Sequence, residues 1–262
     1  MKNQQPTTGI IGSAQEIISA AINVHNFALI LLLTASFTLY SCSSSTSSAG
    51  EDDPEFIQDI DSHTYPVVRI GNQLWLGQNL STTRYRNGDP IPEVQGESDW
   101  GALNSGAWAR YQHILQRDFD YGKLYNWHAV NDPRGICPDG WKVPSDDDWK
   151  TLERHLGMSA QEANSSMRRG EGANVGGKLK STSLWESPNT GATNESGFNG
   201  GPGGRRLSSG LFDGVNRFGY WWTASEQNQA EAVYRSLFFR EADVNRFYSD
   251  KKQGFSVRCI MR

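Results

Sequence analysis

The chain has 262 residues, and its 25 Lys and Arg residues face 29 Asp and Glu residues, which gives a net charge of −4 at pH 7. Such a mildly acidic chain lacks the basic surplus with which proteins bind nucleic acid or dock on anionic lipid, and we exclude nucleic acid as a partner. Nine Trp, eleven Phe and nine Tyr accompany 27 Gly. This composition indicates a loop-rich domain held together by large aromatic side chains.

The N-terminal region contains an uncharged apolar run at residues 27–40. The run is shorter than the roughly 20 residues of a membrane-spanning helix and suits the core of a signal peptide. Leu39-Tyr40-Ser41-Cys42 follows and resembles a bacterial lipobox, in which the cysteine carries acyl groups and begins the mature chain. We therefore predict a lipoprotein-type signal peptide over residues 1–41, lipidation of Cys42, and export to the outer membrane or cell surface. The alternatives are a retained amphiphilic anchor, or a buried strand with an ordinary free thiol.

Residues 42–62 form a polar segment, first rich in Ser and then acidic. Such a segment cannot bury enough surface to order itself, so it predicts a flexible tether. Residues 63–262 remain, about 200 in number, which is enough for one domain with a sizeable core. Ahead of the apolar run, Lys2 is the one clear positive charge, and a translation start near Val24 is a second hypothesis for the precursor.

The first half of the domain contains a predicted hairpin and a predicted helix. Two β-rich runs flank Gly71-Asn72 within residues 65–76, a pattern typical of a two-residue turn. Residues 81–120 predict irregular surface loops, and residues 121–130 predict a short helix. Ser145 and Asp148 form a capping box that begins a helix ending at Gly157. Capping accounts for the three consecutive aspartates 146–148 without a metal ion.

The second half contains another capped helix, a long loop and several strands. Ser159 and Glu162 repeat the capping box and predict a helix to about Met167. Residues 176–185 predict a brief strand and turn. Residues 186–219 predict a long loop, which in a compact domain is functional or tied down; its candidate anchors are Phe198 and Phe212. The predicted strands that follow cover residues 220–225, 232–239, 244–248 and 254–262. The predicted helices lie in the middle of the domain and the predicted hairpins lie at its two ends. This order predicts an α+β fold.

Five motifs occur in order along the domain. Val-Arg-Ile-Gly-Asn-Gln-Leu-Trp-Leu-Gly-Gln-Asn-Leu (68–80) opens it. Tyr-Gly-Lys-Leu-Tyr-Asn-Trp (121–127) and Cys-Pro-Asp-Gly-Trp-Lys-Val-Pro-Ser-Asp-Asp-Asp-Trp (137–149) lie in the middle. Trp-Trp-Thr-Ala-Ser-Glu (221–226) and Gly-Phe-Ser-Val-Arg-Cys-Ile (254–260) close it. Together they resemble the Fibrobacter succinogenes major paralogous domain over nearly all of residues 65–262. That resemblance implies an exported lipoprotein of the kind found in Bacteroidetes and Fibrobacteres.

The layout also resembles the C-type-lectin-like fold, which formylglycine-generating enzymes share more loosely. This resemblance implies adjacent N- and C-terminal strands, two helices between them, a long loop region and a disulfide between Cys137 and Cys259. An oxidising compartment, with Cys42 acylated, also leaves these two thiols to pair. The alternative is two unpaired buried thiols. We expect an α+β, C-type-lectin-like fold with mostly antiparallel strands, two short helices and long loops.

The sequence contains no catalytic constellation. Its five histidines are scattered, and no nucleophile elbow, phosphate loop or Cys-x-x-Cys motif is present. We therefore predict neither enzymatic activity nor a cofactor. An enzyme related to the formylglycine-generating enzymes is the least favoured of the alternatives, because those enzymes use reactive cysteines.

A binding module is the favoured function. Lectin-like domains bind through the long loop and its adjoining strands, which implies residues 186–226. Sugar sites combine an aromatic face with amide or carboxylate groups, and the candidate ligand-binding residues are Trp185, Asp213, Asn216, Trp222 and Glu226. Each also has an ordinary explanation, such as core packing for Trp222. The Glu-Pro-Asn and Trp-Asn-Asp motifs of calcium-dependent sugar binding are absent, which argues against calcium.

The prediction is thus a binding or adhesion module whose ligand is a glycan or a surface protein, with the membrane as a further partner through the lipid anchor. The alternative is a surface-structural or protein–protein interaction domain whose loops have diversified.

Overall fold

The computed structural model describes residues 53–262, so the predicted signal peptide, Cys42 and most of the tether lie outside the described residues. The first three strands are β1 (Phe56–Gln58), β2 (Thr64–Ile70) and β3 (Gln73–Leu76). Strands β2 and β3 form the predicted hairpin, with Ile70 paired to Gln73 across the turn. Gly71 in that turn has φ 63°, a left-handed conformation that glycine adopts without a Cβ clash.

Short helices and strands alternate in the middle of the chain. In order they are α1 (Glu97–Gly101), β4 (Trp108–Ala109), α2 (Leu115–Tyr121), β5 (Leu124–Tyr125), α3 (Trp127–Val130), β6 (Trp141–Lys142), α4 (Asp146–His155), α5 (Ala160–Asn164), β7 (Met167–Arg169) and α6 (Val175–Leu179). The region predicted as irregular, 81–120, therefore contains α1 and most of α2. Neither helix has a side-chain cap, so the sequence carried no local signal for it. The segment predicted as one helix, 121–130, contains α3 preceded by β5.

The C-terminal part consists of strands. They are β8 (Arg205–Arg206), β9 (Phe212–Asp213), β10 (Phe218–Glu226), β11 (Glu231–Phe238), β12 (Val244–Asp250) and β13 (Ile260–Met261). Strands β10, β11 and β12 confirm the three strands predicted within residues 220–248. The prediction of one strand over residues 254–262 is largely wrong, because the backbone of this segment pairs with different strands along its length. Tyr125 pairs with Phe255, whereas Trp75 pairs with Ile260.

Two main sheets organise residues 53–262. One has the strand order β1-β2-β3-β13-β6 and the other has the order β10-β11-β12-β7, with antiparallel pairing throughout. The first and last parts of the domain meet where β3 pairs with β13. Strands in separate sheets with short helices between them define an α+β fold, as predicted, but residues 53–262 contain six α-helices and not the predicted two. No helix within this part of the chain is long and apolar enough to cross a membrane.

The two predicted capping boxes are present. The Ser145 hydroxyl accepts a hydrogen bond from the Asp148 backbone N–H, and the Asp148 side chain accepts one from the Ser145 backbone. Ser159 and Glu162 repeat this arrangement at the start of α5. Helix α4 ends before Gly157, which has φ 110°. Helix α5 is shorter than predicted, because the chain turns into β7 at Met167.

Aromatic rings and a disulfide form the core. Trp75, Trp149, Phe198 and Trp221 pack with ring centroids 5.2–6.5 Å apart. Phe198 is fully buried and anchors the long loop, as predicted. The predicted disulfide joins Cys137 to Cys259 across 122 positions of sequence, with the two Cα atoms 5.9 Å apart. It lies in a second core cluster that also contains Trp222 and Phe255.

Helix α6 replaces the strand and turn predicted at residues 176–185. Its glycines allow backbone from distant parts of the sequence to lie directly against the helix, and this contact is visible only in the tertiary structure. A Cβ on Gly176 would lie 2.0 Å from the Asp243 carbonyl oxygen, and one on Gly177 would lie 2.0 Å from that of Gly191. Glycine in a helix interior is normally unfavourable, so the sequence pattern pointed away from a helix here.

Candidate functional site

The five predicted ligand-binding residues do not converge on one site. Trp222 is fully buried, and its Nε1 donates a hydrogen bond to the Tyr125 carbonyl at 2.9 Å, so it offers no exposed face to a ligand. Glu226 pairs with Lys251 at the end of β10. Asp213 is exposed and pairs with Arg205 at 3.0 Å. The remaining two, Trp185 and Asn216, adjoin a cleft elsewhere in the molecule.

That cleft has a volume of about 380 Å³ and opens between the start of β2, helix α2 and the loop after α6. Asn216 touches its wall, because its Oδ1 accepts a hydrogen bond from the Tyr121 hydroxyl at 2.7 Å. Trp185 supports the loop side, where its Nε1 donates to Ser181 Oγ and to the Gly200 carbonyl, both at 3.1 Å. Both residues thus stabilise the cleft from behind its surface.

Asp118 on α2 places a carboxylate in the wall of the cleft. Its side chain is only 8% exposed, and its Oδ2 accepts from Arg110 Nε at 2.9 Å and lies 3.1 Å from Lys123 Nζ. Its Oδ1 is buried and has no hydrogen-bond partner among residues 53–262. A buried carboxylate oxygen without a partner is costly, and buried polar atoms in native proteins are normally paired. Asp118 Oδ1 is therefore a buried acceptor next to the cleft whose hydrogen bond no residue among 53–262 supplies.

Hydroxyl and amide groups line the rest of the cleft. Four of them are exposed. Thr64 accepts a hydrogen bond from Gln58 Nε2 at 3.1 Å, whereas the side chains of Gln78, Ser183 and Asn199 make no hydrogen bond to another residue in the described part of the chain. They supply both donors and acceptors, because an amide carries both and a hydroxyl serves as either. The cleft surface is consequently suited to a ligand with many hydroxyl groups.

The floor of the cleft is rigid and carries a buried positive charge. Arg258 is 1% exposed and donates to Asn79 Oδ1 at 2.7 Å, to the Leu76 carbonyl at 2.9 Å, and to the Phe198 carbonyl. Burial lowers the pKa of Arg258 to about 9, so the guanidinium stays cationic at neutral pH. No carboxylate within residues 53–262 pairs with it. This charge disfavours cationic ligands in the cleft and favours oxygen-rich ones.

Apolar side chains stand at the rim. Phe119 on α2 is 78% exposed and Leu184 in the loop is 47% exposed, and both line the cleft. Next to them, burial raises the pKa of Tyr121, although Arg117 opposes this rise. Tyr121 is therefore a neutral phenol whose hydroxyl donates a hydrogen bond to Asn216 Oδ1.

His63 also lines the cleft and is held in one orientation. Its Nδ1 lies 3.2 Å from Asp59 Oδ2, which in turn accepts a hydrogen bond from the Tyr65 hydroxyl at 2.6 Å. The His63 side chain is 43% exposed. Within residues 53–262, no group of three or more His, Cys, Asp or Glu side chains is arranged to hold a metal ion.

Asp118, Phe119 and Leu184 were not predicted as site residues. The first two lie in a region predicted as loop, and their exposure depends on how an uncapped helix docks. One signal was present: Leu115 and Phe119 stand at i and i+4 beside Asp118 and Asp120, a short amphipathic pattern.

The fold and the cleft define a class of protein: an α+β domain with one disulfide and a polar cleft rimmed by apolar side chains. The chain belongs to the Fibrobacter succinogenes major domain family (Fib_succ_major), whose family model matches residues 68–261. The family resemblance of the sequence motifs is therefore confirmed. No curated protein and no solved structure matches the chain.

Proposed function

We propose that this protein is a lipid-anchored extracytoplasmic binding module that recognises a carbohydrate in the cleft at α2. The observation that carries the proposal is Asp118, whose buried Oδ1 has no partner beside the open hydroxyl and amide groups of the cleft. Sugar hydroxyls donate to carboxylates and accept from amides, while the C–H groups of the ring pack on apolar side chains. Phe119 and Leu184 supply that apolar contact.

The membrane anchor and export are part of the proposal, and two features support them. The apolar run at residues 27–40 precedes Cys42 in a lipobox-like sequence. The disulfide between Cys137 and Cys259 suits an oxidising compartment outside the cytoplasm. Labelling of the protein with a fatty-acid analogue in cells, lost in Cys42→Ser, tests the anchor. Retention of the label by that variant would refute it.

We also infer a C-type-lectin-like arrangement of the domain. Three features support this inference: β3 pairs with β13 at the two ends of the domain, α4 and α5 lie between them, and the disulfide links the segment before α4 to the last strand. A solved structure of the protein, compared with lectin-like domains, tests it.

The glycan proposal is tested with a glycan array, read with and without calcium. A hydrogen bond to a charged group contributes about 1.5–3 kcal/mol, so Asp118→Asn should weaken binding at least tenfold. Asp213→Asn is the matched control, because Asp213 is an exposed carboxylate away from the cleft. The double variant Gln78→Ala, Ser183→Ala provides a second test that leaves the ion pairs of Asp118 intact. Equal binding by wild type and all three variants would refute the cleft as the site.

A second candidate function, binding of a protein, is favoured by the sheet β10-β11-β12-β7. Strand β7 pairs only with Val244–Arg246 of β12, which leaves Phe247–Asp250 with an open edge in the described structure. A cavity of about 510 Å³ beside this edge is lined by Phe218, Phe238 and Phe247. Open edges and pockets for alternate side chains suit an extended peptide. A blank glycan array, with peptide binding that Phe247→Ser abolishes, would favour this candidate.

A further inference from the structure

Exposed apolar side chains occur in the lining of the cleft and on helix α2 beside it. Ile114, Leu115 and Phe119 belong to α2 or the residue before it and are 44%, 60% and 78% exposed. Leu115 and Phe119 stand at i and i+4 and therefore share one face of the helix. Leu184, 47% exposed, faces the cleft from the loop on its other side. We call these four residues the apolar rim.

The apolar rim is continuous with the polar cleft, because Phe119 and Leu184 line the same cavity as Asp118 and Asn199. Buried polar side chains, those of Asn79, Ser181 and Arg258, line this cavity, whereas its apolar residues Phe119 and Leu184 are exposed. A ligand that fills this cavity must therefore have a polar, hydroxyl-rich end and an apolar end. A free saccharide satisfies Asp118 but leaves most of the apolar rim in water, which is unfavourable.

We propose that the ligand is an amphiphile, a saccharide joined to an alkyl or acyl chain, with its sugar in the cleft and the start of its chain on the apolar rim. This inference rests on the proposed carbohydrate function and names the chemical class of the ligand. A planar bilayer is the less suitable occupant, since a surface resting on Phe119 and Leu115 does not reach Asp118 inside the cavity. The sugar end and the chain end use different residues, so they can be tested separately.

The test compares methyl and octyl glycosides of glucose, galactose, mannose and N-acetylglucosamine, below the micelle concentration, by calorimetry on the purified domain. Burial of about two methylenes raises affinity roughly tenfold, so wild type should bind at least one octyl glycoside about tenfold more tightly than its methyl counterpart. The double variant Phe119→Ser, Leu184→Ser should lose this preference, so that it binds the octyl compound no more tightly than the methyl one. Leu211→Ser, 50% exposed and not lining the cleft, is the matched control and should keep the preference.

Each other result is informative. Equal affinity of wild type for the methyl and octyl compounds overturns the inference and leaves the carbohydrate function standing. A preference for octyl that survives in Phe119→Ser, Leu184→Ser also overturns it. Octyl binding that Asp118→Asn does not weaken shows a bare apolar contact and refutes both proposals, as does no binding of any compound. The melting temperatures of all variants are measured first, so that loss of folding is not read as loss of affinity.

Discussion

Buried arginines at helix α4 are held by carboxylates, whereas Arg258, Arg206 and Lys180 in the loop-rich part of the domain are held by backbone carbonyl groups. At α4, Arg235 is fully buried and pairs with Asp146 at 2.8 Å and Glu153 at 2.6 Å. Arg169 and Arg246 join the same two carboxylates. In the loops, Arg258, Arg206 and Lys180 are also buried, yet none forms an ion pair within the described chain.

Each loop cation donates to several backbone carbonyl groups. Arg206 donates to the carbonyls of Gln95, Gly96 and Gly210, the first two more than 100 positions away. Lys180 donates to the carbonyls of Thr190, Phe238 and Glu241 at 2.7–3.2 Å. Because a buried carbonyl needs a donor, a side chain with several donors can replace secondary structure in fixing a loop. We call the ion pairs of Asp146 and Glu153 with Arg169, Arg235 and Arg246 the α4 network. This network joins helices and strands that are already regular, whereas each loop cation organises an irregular segment.

The largest expected effect comes from removing a carboxylate of the α4 network. Glu153→Gln leaves Arg169 without a charged partner and weakens the pairing of Arg235, and an unpaired buried charge costs about 3–5 kcal/mol. Urea denaturation should show a loss of about 3 kcal/mol or more. Asp147→Asn, at an 89% exposed position of the same helix, is the control and should change stability little. A loss below about 1 kcal/mol for Glu153→Gln would mean that the network does not hold α4.

A smaller loss is expected for a loop cation. Arg258→Met leaves the carbonyls of Leu76 and Phe198 without this donor, at about 1–3 kcal/mol each, but it also removes a charge whose burial is unfavourable. The net loss should be about 2 kcal/mol, with faster hydrogen exchange at residues 197–200. Arg240→Met, an exposed arginine, is the matched control. Unchanged exchange in this loop would contradict the role assigned to Arg258.

Acid should weaken the α4 network selectively. Burial raises the pKa of Asp146, but hydrogen bonds from Arg246, Lys150 and Arg235 outweigh this and hold it well below its usual range. A carboxyl group with a lowered pKa in the folded state stabilises the protein above its unfolded pKa near 4, and this contribution disappears as the pH falls below that value. The stability difference between wild type and Asp146→Asn should therefore shrink between pH 5 and about pH 2. A constant difference across this range would exclude the mechanism.

The smallest effect is expected at alkaline pH from Lys180. Burial lowers its pKa to about 8 from an ordinary value of 10.5, although Asp243 and Glu241 oppose the shift. Between pH 8 and 10.5 the Lys180 side chain binds its proton more strongly in the unfolded chain than in the folded one. The contribution of Lys180 to the free energy of unfolding therefore rises with pH. The melting temperature of wild type should rise by about 2 °C relative to Lys180→Met between pH 7.5 and 9.5. Parallel curves for the two proteins would show that Lys180 does not titrate in this range.

Local patterns predicted the helices with capping boxes, the hairpin turn and the long strands, and they missed the helices without a capping signal. The capping boxes at Ser145 and Ser159 and the turn at Gly71 depend on neighbouring residues, so they were predicted from sequence. Helix α6 was missed, because Gly176 and Gly177 are required by the backbone of distant residues. The candidate site was missed for the same reason. Asp118, Leu184 and Arg258 meet only when three remote segments pack together.

Motifs and local or covalent chemistry were sufficient to predict the family, the α+β class, the pairing of Cys137 with Cys259, and Phe198 as a loop anchor. The tertiary structure decided which groups became the cleft. It buried Trp222, which the sequence proposed as a sugar contact, and left Phe119 exposed at the rim. Exposure and the pairing of charges depend on which surfaces meet in the folded chain, and a linear pattern does not contain that information.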